Sequence, residues 1–183
     1  MVSPSEPIAV SGPRRRGAET EGLLSRSLRS IGLPTRVDLL TGSEFWRTRP
    51  VGAVGLRQLV FSDGAAGVRG EGWSAGDPSV CFPSPAALGS TWDVGLVGRL
   101  AEQVAAEARR KGVDVVLAPT VNLQRSPLAG RHFEYLSEDP LLSGRLGAAY
   151  VAHLQRHGVA ATAKHYVGND AETHRFSVDV RID

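Results

Sequence analysis

Val113-Asp114-Val115-Val116-Leu117-Ala118-Pro119, then Asp139-Pro140-Leu141 through His157-Gly158, then Val159 to His165: the reading of this stretch decides the fold. Its first part is a β-branched apolar run halted by Pro119, which suits a strand buried on both faces of a parallel sheet. Asp139-Pro140 supplies a capping carboxylate and a proline at the first helical position. Behind them Leu142, Leu146, Ala149, Tyr150 and Leu154 recur on one helical face until Gly158 closes the helix. Val159 to His165 reads as the next strand. Strand, helix and strand over residues 113 to 165 form a unit of the parallel α/β kind.

Working upstream, Leu96, Val97, Leu100, Val104 and Ala108 recur at helical spacing. Ser90 or Thr91 is the expected cap, and Lys111-Gly112 the end. Residues 56 to 61 are a partly apolar run that meets Ser62-Asp63-Gly64, so a strand is expected to stop at Asp63, followed by a Gly/Pro/Ser-rich loop to about Ser90. Short helical pieces are expected over residues 23 to 31 and 35 to 40, divided at Gly32-Leu33-Pro34. Residues 1 to 20, with Pro4, Pro7, Gly12 and Pro13, read as a leader without structure, which leaves residues 21 to 183 as the folded part.

In parallel α/β folds, ligands bind outside the carboxyl ends of the strands. Three such ends are expected: Ser62-Asp63-Gly64, the loop opening at Pro119, and Lys164-His165. At the first, Asp63 and Arg69 stand beside glycines that allow close backbone approach. A carboxylate and a guanidinium make a clamp for sugar hydroxyls, one accepting and the other donating charge-assisted hydrogen bonds. A turn-capping Asp with a surface Arg reads equally well. The second loop gathers Arg131, His132, Glu134, Glu138 and Asp139 with two aromatics, Phe133 and Tyr135. Its acidic residues read best as salt-bridge partners of Arg131, and Arg131 itself as facing a ligand. At the third, regular strand geometry would send Lys164 and His165 to opposite faces, so joint service at one site requires a bulge or an unusual peptide, a cis bond among them. A core histidine with a surface lysine is the plainer alternative.

With 42% hydrophobic and 22% charged residues, the chain has the composition of a folded domain. The net charge of +2 calls for neither nucleic acid nor an anionic membrane. The Arg14 to Arg16 run reads as a solvated tail. Cys81 is the lone cysteine, so no internal disulfide or cysteine-based metal cluster is expected. No signal-peptide pattern or membrane span is apparent, and a cytoplasmic location is the expectation. Of 21 basic residues only Lys111 and Lys164 are lysines. His153 and His157 are four apart on a helix, but no third ligand or His-Glu-x-x-His pattern accompanies them, and neither a metal nor another cofactor is expected. Phosphate-binding glycine loops and the Gly-x-Ser-x-Gly elbow are also missing.

Taken in order, Ser62 to Arg69, Phe82-Pro83-Ser84-Pro85, Arg131 to Pro140, and Lys164-His165-Tyr166-Val167-Gly168-Asn169-Asp170 resemble glycoside hydrolase family 3, in particular its β-glucosidase-like members. The similarity runs from about Leu39 to the C-terminus. It implies an α/β fold, part of a (β/α)₈ TIM-like barrel with parallel strands, and a pocket for a terminal non-reducing sugar at the barrel mouth. Asp63, Arg69, Arg131, Lys164 and His165 match the family positions that bind the sugar's hydroxyls. Ala65 departs from the family's usual proline and His132 from its frequent asparagine; neither removes a ligand.

The resemblance also implies retaining hydrolysis of β-glucosides by an aspartate nucleophile and a glutamate acid/base, without metal. The nucleophile's Ser-Asp-Trp-like segment is expected beyond Asp183 and the acid/base in a further domain, so the residues at hand contribute no catalytic group. Asp170 and Glu172 read as supporting residues. A complete barrel takes roughly 250 residues, and three or four strands are expected here, so the chain reads as a truncated, inactive portion that carries the sugar-binding wall. The rival reading is a non-catalytic sugar-binding or regulatory protein. The partner in either case is a small sugar or β-glucoside; the oligomeric state is unspecified.

Overall fold

A computed structural model describes residues 18–72 and 76–182. The chain runs α1 (Ala18–Ser30), α2 (Leu33–Asp38), β1 (Gly42–Glu44), β2 (Arg47–Thr48), β3 (Phe61–Asp63), α3 (Pro85–Gly89), α4 (Val94–Arg110), β4 (Val115–Leu117), α5 (Pro140–Arg156) and β5 (Ala160–Ala161). Short 3₁₀ turns lie at Gly52–Val54 and His132–Glu134. Two assemblies of strands result: a small antiparallel hairpin of β1 and β2, and a parallel sheet in the order β3-β4-β5.

The deciding stretch folds as read. Val115 and Val116 are buried in β4, and Asp139 caps α5, its Oδ1 accepting from Leu142 N at 2.7 Å with Pro140 at the first position. Gly158, at φ +79°, turns the chain out of the helix as only a residue without Cβ does easily. The strands are shorter than expected because the regular ladder covers only register pairs Phe61↔Val115 to Asp63↔Leu117 and Val115↔Ala160 to Val116↔Ala161. Beyond β5 the ladder is interrupted and resumes as a single parallel bridge, Thr120↔Lys164.

Several expectations are corrected. The cap of α4 is Asp93, not Ser90 or Thr91: its Oδ1 accepts from Leu96 N at 2.9 Å, while Ser90 and Thr91 turn their hydroxyls back onto the carbonyls of Ala86 and Leu88. Those residues instead end α3, a helix unforeseen within the glycine-rich loop, started by Ser84, whose Oγ accepts from Ala87 N at 3.3 Å. α1 begins at Ala18, at the edge of the expected leader. Residues 1–17, including Arg14 to Arg16, lie outside the described residues.

The core lies between the parallel sheet and the pair α4 and α5. Val97, Ala101, Val104, Ala105 and Ala108 of α4 meet Leu146, Tyr150 and Leu154 of α5 over Val116 and Val159. Small residues on α4 let the two helices approach closely. Among the described residues no helix is long and apolar enough to cross a membrane.

Candidate active site

Because the three strands are parallel, their carboxyl ends lie along one edge of the sheet, and the charged residues gather there. Asp63 ends β3, and Lys164 follows β5 and bridges to Thr120 beyond β4. Lys164 Nζ sits 3.6 Å from Asp63 Oδ1 and 3.7 Å from Glu134 Oε2. Glu134, only 4% exposed, also accepts from Thr120 Oγ1 at 3.2 Å and from Arg131 Nε. Arg131 continues to Glu172 Oε1 at 3.3 Å and to His165 Nε2 at 3.1 Å. Four of the five residues singled out in the sequence, Asp63, Arg131, Lys164 and His165, therefore join one network, with Glu134 at its centre.

The Lys164–His165 peptide is cis, as are Tyr166–Val167 and Ala118–Pro119. Both side chains of the first pair serve the same cluster. Arg69, the fifth residue, reaches it by a different route. Its N donates to Asp63 O at 3.0 Å, and its guanidinium lies over the Trp46 ring, 5.7 Å from the centroid.

Electrostatics keep the cluster charged. Burial alone would push the Glu134 carboxyl up, but the Arg131 hydrogen bond and the charges of Lys164 and Arg131 hold it below the ordinary range. Glu172 is likewise lowered: desolvation opposes ionisation, and hydrogen bonds from Asn169, Arg175 and Arg131 outweigh it. Burial, then the neighbouring Arg131 and Lys164, pushes the His165 imidazole down, so it is neutral at pH 7.

Sequence reasoning assigned the acidic residues of the Arg131 loop to pairing with that arginine, and Glu134 does so, whereas Asp139 caps α5. Asp170 and Glu172 act as supports: Asp170 Oδ2 accepts from Arg125 Nε at 2.8 Å, and Glu172 Oε2 from Arg175 Nη1 at 2.9 Å. Two residues were missed, Thr120 and Asn122. The available signal was the polar pair in Thr120-Val121-Asn122 just after Pro119, at a strand end. The paired histidines find other partners. His153 Nδ1 lies 2.8 Å from Glu102 Oε1, and His157 Nδ1 lies 2.9 Å from His153 O.

A cleft of about 750 Å³ opens beside Lys164 and His165, bordered by Asn122, Arg125, Tyr166 and Asp170. A second hollow of about 390 Å³ lies along α5 between Gly147 and Val151; none of its lining residues is ionisable, so the chemistry belongs to the first.

The cleft lies at the carboxyl ends of parallel strands, where such folds bind their ligands, with the Asp170 carboxylate, the Arg125 guanidinium, the Lys164 ammonium and the His165 imidazole at its border. Residues 50–181 match the Glycosyl hydrolase family 3 N terminal domain, and the chain belongs to that family. Beta-glucosidase B of Emericella nidulans is 43% identical over 165 residues, which cover 90% of this chain and 19% of the relative. Beta-glucosidase 3B from Thermotoga neapolitana in complex with glucose superposes with a TM-score of 0.76 at 36% identity, over 84% of this chain and 24% of that one. Beta-glucosidase from Kluyveromyces marxianus in complex with glucose gives a TM-score of 0.78 at 39% identity, over 81% of this chain and 18% of that one. The chain spans about a fifth of the length of the curated relatives it matches.

Proposed function

We propose that the cluster at the sheet edge is part of the pocket for the non-reducing glucosyl unit of a retaining β-glucosidase, and that the three parallel strands belong to a (β/α)₈ barrel. The observation that carries this reading is the network joining Asp63, Lys164, Glu134, Arg131 and His165. Such a wall offers acceptors and fixed donors together, which a ring of hydroxyls requires. Arg69, on the loop that leaves Asp63, completes the five sugar contacts with Asp63, Arg131, Lys164 and His165.

The wall binds rather than reacts. Glu134 and Glu172 are held ionised by their cationic neighbours, so neither can lend a proton at neutral pH. Asp63 has Lys164 beside it and sits where the family resemblance puts a hydroxyl contact. Neither the nucleophile nor the acid/base is therefore assigned to this wall.

Glucose titration by calorimetry should give saturable binding that Asp63→Ala removes, and an aryl β-glucoside should not be turned over by the purified chain. Hydrolysis that disappears in Asp63→Ala would overturn the assignment of roles. Binding without hydrolysis would equally describe a sugar-binding protein, a reading favoured by the pairing of Asp63, Glu134, Asp170 and Glu172 with basic side chains.

A further inference from the structure

Asn122 is 7% exposed and stands behind His165. Its Oδ1 lies 2.8 Å from His165 N and 2.9 Å from His165 Nδ1, and its Nδ2 lies 3.1 Å from Asp170 Oδ1. The amide has one possible orientation. A backbone N–H can only donate, so the atom facing it is the amide oxygen; the Asp170 carboxylate only accepts, so the atom facing it is the NH₂. Asp170 is itself held by Arg125 Nε at 2.8 Å.

An amide oxygen cannot donate. Its contact with Nδ1 therefore requires that Nδ1 carry the imidazole hydrogen, and in the neutral ring Nε2 must then present a lone pair. The far side of the ring agrees: Nε2 faces Arg131 Nη2, a group with hydrogens and no acceptor, at 3.1 Å.

We propose that Asn122 is a positioning residue that fixes His165 as the Nδ1–H tautomer and so makes Nε2 the acceptor for one sugar hydroxyl. A hydroxyl that enters between the two side chains replaces the Nη2–Nε2 hydrogen bond, donating to the single lone pair of Nε2 and accepting from Nη2. The pair reads a group that does both, and it rejects a fluorine or methoxy substituent at that ring position, which can only accept. The tautomer stands apart from the glycone-pocket reading; the hydroxyl preference rests on it.

Imidazole ¹⁵N spectra of the sugar-free protein at neutral pH test the first part. The wild type should show His165 with a protonated Nδ1 and a bare Nε2. Asn122→Leu should release the ring to the Nε2–H form, while the exchanged pair Asn122→Asp/Asp170→Asn, which keeps the acceptor, should restore the original pattern. An Nε2–H or averaged pattern in the wild type overturns the proposal even if Asn122→Leu does not fold, and so does an unchanged pattern in a folded Asn122→Leu.

Calorimetry with glucose and its monodeoxyfluoro analogues tests the second part. Replacing one hydroxyl should weaken binding about tenfold in the wild type, the loss expected for one hydrogen bond to a fixed acceptor, and that penalty should vanish in Asn122→Leu. A penalty that persists there overturns the coupling. Failure of the wild type to bind glucose, with the tautomer as stated, removes the glycone reading and the hydroxyl role with it, and leaves the tautomer assignment standing.

Discussion

Lys111 holds the chain that carries Arg69: its Nζ donates to Arg69 O at 3.3 Å, to Asp77 O at 3.0 Å and to Asp77 Oδ2 at 2.8 Å. The side chain is 1% exposed although its acidic partner is half in water. An aliphatic stem packed inside with a saturated ammonium is a staple between the end of α4 and the loop after β3. Lys111→Met keeps the stem and removes the hydrogen bonds, and it should cost about 1–3 kcal/mol of stability. Urea denaturation followed by far-UV circular dichroism checks this. Glucose affinity should fall as well, since Arg69 sits on the loosened segment.

Glu134 is the ionic hub of the site, buried between Arg131 and Lys164. Removing its charge takes the buried partner from both cations and leaves Arg131 with Glu172 and Lys164 with Asp63. Glu134→Gln should therefore destabilise by about 3–5 kcal/mol, the usual cost of breaking a buried pair from one side. Lys164→Met in the same chain removes one of the two cations and should recover part of that loss. A double-mutant cycle in urea measures the coupling; additive single and double effects would show that Lys164 and Glu134 do not interact.

How far the sequence could foretell this site depends on distance along the chain. The elements around β4 and α5 announce themselves locally, through the Asp139-Pro140 start, the stripe of Leu146, Tyr150 and Leu154, and the stop at Gly158. The strand ends at Asp63 and Lys164 were marked by ionisable residues where apolar runs stop. Asn122 carried only the weak signal of a polar residue at a strand end, because its partner His165 is 43 residues away and asparagine after a strand usually serves a turn. The cap at Asp93 was misplaced because Ser90, Thr91 and Asp93 are all competent caps. Only the packing of α3 decides among them. The β1–β2 hairpin has too few residues to show alternation.

The pH dependence of stability should carry the signature of the same wall. His165 has its folded pKa below the ordinary 6.5 because burial, Arg131 and Lys164 disfavour the imidazolium, while Glu134 and Glu172 oppose them weakly. The unfolded chain then binds the proton more readily, so the contribution is complete above pH 6.5 and is lost as pH falls through the folded value. Glu134 and Glu172, also lowered, add a second loss below the ordinary carboxylate value of 4.5. Melting temperature against pH should slope downward from 6.5 toward acid in the wild type, and His165→Gln should flatten the part above pH 5 relative to it. Equal slopes in both proteins would mean that His165 is not the titrating group.

Gly89 offers the sharpest packing test. It ends α3 where a Cβ would run into the carbonyl oxygen and carbonyl carbon of Leu136, backbone atoms that cannot swing aside as a side chain can. Leu136 follows Tyr135, which is fully buried and whose hydroxyl donates to Asn169 O at 2.7 Å, so displacing this strip moves the loop carrying Arg131 and Glu134. Gly98 makes a useful contrast, because a Cβ there meets only the ring of His153, which lies partly in solvent and can rotate. Gly89→Ala should therefore cost about 3 kcal/mol or more through overpacking and abolish sugar binding. Gly98→Ala should stay within about 1 kcal/mol of the wild type, since the gain in helix propensity offsets the displaced histidine. Thermal melts and glucose titrations of the two variants side by side decide the matter: equal tolerance at both positions would mean that α3 does not pack on Leu136 as closely as described.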